Sequence, residues 1–147
     1  MQPPVKRILQ PIIPAIAFLF FTFFLWIPLP AHATECKNAG QQLRGGYEAT
    51  QGFGGGLWGL MEQTAGYRKD STIGMQIDAR LQRTVVIYET KCENGEKPGK
   101  DLADKISDFI DRAREIKNKA QRGTPDKVIP QLKTLNIDLG EFLDSLS

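Results

Sequence analysis

Apolar residues recur every third or fourth position through most of this chain. From Asp101 to Arg122 they are Leu102, Ile106, Phe109, Ile110, Ala113, Ile116 and Ala120. At about 100° per residue these form one stripe about 120° wide, the signature of an amphipathic helix. The opposite face carries Asp104, Lys105, Asp108, Asp111, Arg112, Glu115 and Lys119. Asp101–Lys105, Asp108–Arg112 and Glu115–Lys119 are acid-before-base pairs four apart, each expected to add a few tenths of a kcal/mol.

Ser71–Glu93 predicts a second helix, with Asp70 or Ser71 as its N-cap. Ile73, Ile77, Leu81, Val85, Tyr88 and Cys92 advance down one face. Asn94-Gly95 and Pro98-Gly99 then end the helix and turn the chain. Helical spacing also runs through Cys36, Ala39, Leu43, Tyr47, Thr50, Phe53, Leu57, Leu60 and Thr64. This stretch carries nine glycines between Cys36 and Gly66. Each weakens a helix by about 1 kcal/mol relative to alanine. Gly52–Gly56 is therefore expected to break the segment in two. The tail is less regular. Thr124-Pro125 has the form of a cap and first helical residue, and Pro130 is expected to limit or kink that helix. Asp138 and Glu141 have capping-box spacing before Leu139, Phe142, Leu143 and Leu146. No convincing strand and no repeat is visible.

The N-terminus has a different pattern. Lys6 and Arg7 precede an apolar run from Ile12 to Leu29, followed by Ala31-His32-Ala33. This is the layout of a secretory signal, cut after a small-x-small site. The competing reading is an uncleaved anchor, because the run is nearly long enough to cross a bilayer. Pro28 and Pro30 favour cleavage, since they end the helix and expose an extended site. Residues 1–33 are thus read as a cleaved signal and 34–147 as one helical domain, periplasmic or extracellular. Either reading puts Thr34–Ser147 outside the cytoplasm.

Export changes the charge balance. The chain has 19 Lys+Arg against 17 Asp+Glu. Losing Lys6 and Arg7 leaves the two signs equal, which gives no electrostatic case for nucleic acid. His32, the one histidine, leaves with the signal. Without histidine there is no Ser-His or Cys-His nucleophile system and no histidine-based metal site. The glycines near 52 do not match a dinucleotide-binding fingerprint, because its third glycine would fall at Leu57. The chain is accordingly expected not to be an enzyme and to need no cofactor or metal.

Cys36 and Cys92 are the two cysteines. An even count in an exported chain predicts a disulfide. Cys36 opens the first predicted helix and Cys92 closes the second, so an antiparallel hairpin makes them neighbours. The fold expected is all-α: a small bundle of three or four helices around a disulfide-stapled antiparallel hairpin.

One segment stands apart. Gly52-Phe53-Gly54-Gly55-Gly56-Leu57-Trp58-Gly59-Leu60-Met61 mixes glycine with large apolar residues. It can be a bend that fills the core, a partner-binding surface of Phe53, Leu57, Trp58 and Met61, or a membrane-contacting stretch. Glycine spacing at 52/56 and 55/59 lets two backbones approach closely, and tryptophan is enriched in binding hot spots. The function expected is a non-enzymatic binding or assembly factor with a protein partner in the cell envelope. The alternatives are a membrane-active secreted protein or a small-ligand carrier.

Overall fold

The computed structural model describes residues 31–147 apart from Phe53, with side chains from Ala33 onward. The expected signal segment lies outside these residues except for the backbone of 31–33. In chain order the elements are α1 (Ala31–Gln51), α2 (Gly56–Gln63), a 3-10 turn (Arg68–Asp70), α3 (Ser71–Glu93), α4 (Lys100–Ala120) and α5 (Pro125–Ser145). There is no strand among the described residues. Residues 31–33 form the first turn of α1 rather than an extended strip.

The four long helices run up and down in turn. Cys36 pairs with Cys92 and Arg44 with Glu89, so α1 and α3 are antiparallel. Arg80 of α3 donates to Asn136 of α5 at 2.7 Å, and Gln76 accepts from the same residue at 2.8 Å. Arg112 of α4 pairs with Asp138 of α5 at 2.5 Å. The core between the helices is made of Ile77, Leu81, Val85 and Tyr88 from α3 and the α4 stripe from Ile106 to Ala120. Val128, Leu132, Leu135, Leu139 and Leu143 of α5 complete it. Phe142 sets its ring 5.2 Å from that of Phe109.

The turn after α3 explains its sharp end. Gly95 takes the left-handed conformation at φ 77°. Its N–H donates to the Cys92 carbonyl and that of Glu96 donates to the Lys91 carbonyl. This double closure satisfies carbonyls that a helix end leaves open. It also fixes Cys92 in the last turn, where the disulfide forms: its Cα lies 5.7 Å from that of Cys36, within the usual range.

The tail departs from expectation. Instead of two short pieces, α5 is one helix through both Pro130 and Asp138. Pro130 removes a donor, but Asp126, whose carbonyl loses it, and Pro130 itself are exposed near the helix start. Water can serve that carbonyl, so the loss is small there. Asp138 caps nothing; its carboxylate holds Arg112. Arg112 is therefore drawn away from Asp108, and of the three expected pairs on α4 only Glu115–Lys119, at 2.6 Å, is formed. Asp70 occupies the cap position of α3, but its carboxylate makes no capping bond.

Candidate functional site

The segment singled out by composition folds as a four-residue break followed by the two-turn helix α2. Gly52, Gly54, Gly55 and Gly56 all have positive φ, from 26° to 109°. Only glycine takes these values without steric cost. The break lies between two helix ends of opposite polarity. At the carbonyl end of α1, Lys117 Nζ donates to the Thr50 carbonyl at 2.6 Å. At the amide end of α2, the Asp78 carboxylate accepts from the Leu57 N–H at 3.2 Å and the Trp58 N–H at 3.0 Å. A cation at a helix C-terminus and an anion at an N-terminus are each favoured by the helix dipole. Gln51 completes the cluster by donating to Asp78 at 3.3 Å.

Asp78 thus acts as a cap supplied by a different helix. Three N–H donors engage its two oxygens, so it holds α2 in place. Burial raises its pKa above the ordinary carboxylate range, against the pull of the Trp58 and Leu57 amides, Gln51 and Lys117. The folded protein therefore holds the Asp78 proton more tightly than the unfolded chain. The stability tied to this site is fully present below the ordinary aspartate range and is lost as pH rises through the raised value. Urea unfolding of wild type and Asp78→Asn across that window should show wild type losing ground to the variant as pH rises. A constant difference between the two would contradict the raised pKa of Asp78.

Two glycines let α2 lie so close. A Cβ built on Gly74 of α3 would sit 3.0 Å from the backbone of Leu57 and Trp58 and 2.8 Å from Met61 Sδ. One on Gly56 would lie 2.5 Å from Asp78 Oδ2. Gly74 and Asp78 are one turn apart on the same side of α3. Together they make a seat with space for a backbone and a carboxylate to tie it down.

The seat sorts the sequence-predicted residues. Leu57 is 1% exposed and Met61 fully buried, because both point from α2 into the core. A partner reaching this segment would not meet them, which corrects their expected place on a binding surface. Trp58 points the other way and is 48% exposed. Phe53 lies outside the described residues. The glycine content also finds a different use from the one expected. Close approach is made by the chain's own helices: Gly40 faces Glu89 and Tyr88, Gly46 faces Ile110, and Gly66 faces Pro125. No outside surface is needed to account for these. Gly45 is the exception, with open space around it.

Asp78 was missed by reading spacing alone. The signal available was a carboxylate on the flank of an apolar stripe, four residues after a glycine in the first turn of that helix. Among the described residues no group of three or more His, Cys, Asp or Glu could hold a metal ion, and no helix is long and apolar enough to cross a membrane. The disulfide indicates an oxidising compartment. Comparison with protein-family models, curated proteins and solved structures finds no match.

Proposed function

We propose that the protein is exported, loses residues 1–33, and acts as a non-enzymatic binding or assembly factor in the periplasm or outside the cell. Trp58 is the anchor for a protein partner. The observation that carries this reading is a half-exposed tryptophan on a fixed platform. Its own backbone amide is held by Asp78, and its neighbours Leu57 and Met61 are locked into the core. An aromatic side chain on a backbone held this way needs no ordering of the main chain on binding, which lowers the cost of association. Tryptophan also supplies large contact area and dominates many interface hot spots.

Trp58 reports on its own role once Trp26 has gone with the signal or been replaced by Phe. In the isolated protein its emission should be that of a solvated indole. Adding the envelope fraction should shift it to the blue, and lipid vesicles alone should not. A blue shift with vesicles alone would transfer the reading to membrane contact. No response to either would remove the interaction role of this segment.

A further inference from the structure

We propose that the Cys36–Cys92 bond is a redox latch: reduction by a dithiol protein releases α1 up to Gly46, while the remaining bundle stays folded. This goes beyond the binding role and does not depend on Trp58.

The bond is placed where a reductant can reach it. Both cysteines are only half-buried. They line a groove open to solvent, with Lys37, Gly40, Arg44 and Glu89 around them. Cys36 also borders a second recess beside Tyr88 and Pro98. Both cysteines thus border open grooves at the opposite end of α3 from Asp78 and Trp58.

The part of α1 up to Gly46 has few other ties. Leu43 is its one fully buried apolar side chain, whereas α4 contributes six and α5 five. Gly40, Gly45 and Gly46 weaken the helix itself, and Gly45 touches nothing that would compensate. Arg44 holds Glu89 through two parallel N–H···O bonds, a bidentate pair whose arginine is half in water and screened by salt. Arg114 reaches the Gly46 carbonyl only at 3.5 Å. The last five residues of α1, 47–51, are tied more firmly, by Lys117 on Thr50 and Gln51 on Asp78. Release should therefore stop near Gly46. The side chains uncovered would be Tyr88 and Ile110, which α1 covers through Gly40 and Gly46.

The chemistry is thiol–disulfide exchange. A thiolate of the dithiol attacks one cysteine sulfur, the S–S bond breaks, and the other sulfur leaves as a thiolate that takes up a proton. The second thiol of the reductant loses its proton, attacks the mixed disulfide and frees the first cysteine. Two electrons pass to the cystine, and the reductant ends as a disulfide.

The test is amide hydrogen exchange on the protein as isolated from its cell, before and after dithiothreitol in native buffer. Reduction should go to completion without denaturant. Exchange should then speed up at least tenfold across residues 38–46 and stay unchanged in α4 and α5. Trp58 emission should not move, since it sits about 20 Å away along α3. The double variant Cys36→Ser/Cys92→Ser should show the reduced pattern and ignore dithiothreitol. Three results would overturn the latch: faster exchange in every helix at once, no change in α1, or reduction only under denaturing conditions. The wild-type measurement decides even if the double variant fails to fold.

Discussion

Leu57→Ala should destabilise the fold by about 2–5 kcal/mol, the range for truncating a buried leucine, while Trp58→Ala beside it should change stability by no more than about 1 kcal/mol. The two residues are adjacent in a glycine-rich stretch and are equally apolar by composition. What separates them is the seat on α3. With Gly74 allowing α2 to lie close and Asp78 fixing its first amides, Leu57 is carried into the core and Trp58 is turned away from it. Leu57→Ala leaves a cavity among packed helices. Trp58→Ala removes a side chain that is about half in water, and such surface changes are usually small. Urea denaturation of both variants separates the two. Equal losses would mean that Trp58 is part of the core.

The second large effect is expected at the disulfide. Cys92→Ser should cost about 4 kcal/mol, because the bond spans 56 residues and restricts the unfolded chain accordingly. Thermal or urea unfolding with and without reductant measures it. Wild type in reductant should match the variant in either condition. If Cys92→Ser unfolded at the same urea concentration as oxidised wild type, the bond would be incidental to the fold.

The helices on either side of the turn at Gly95 were legible in the sequence because their stripes are long and regular. Six of the seven apolar positions in the α4 stripe are fully buried. The Cys36–Cys92 pairing was legible for a different reason: each cysteine lay at a predicted helix end, and antiparallel packing brings such ends together. The break at Gly52–Gly56 followed from glycine content alone. Local spacing misled where tertiary contacts decide. Pro130 and the Asp138–Glu141 spacing both resemble helix boundaries. In the bundle, the carbonyl freed by Pro130 belongs to an exposed residue that water can reach, and Arg112 claims Asp138. The candidate site was half legible. Its location came from composition, but which of its side chains face inward depends on Gly74 and Asp78, some twenty residues further along the chain.

The central claim is that Trp58 is a partner anchor in the exported protein, and crosslinking inside the cell tests it most directly. A photoreactive amino acid replaces Trp58, and a control chain carries the same probe at the exposed Val86 of α3. The account predicts one dominant protein adduct from position 58 that is absent from position 86. The same partner should then bind purified Trp58→Ala more weakly by about 2 kcal/mol or more. Lipid adducts in place of a protein, or identical background from both positions, would contradict it.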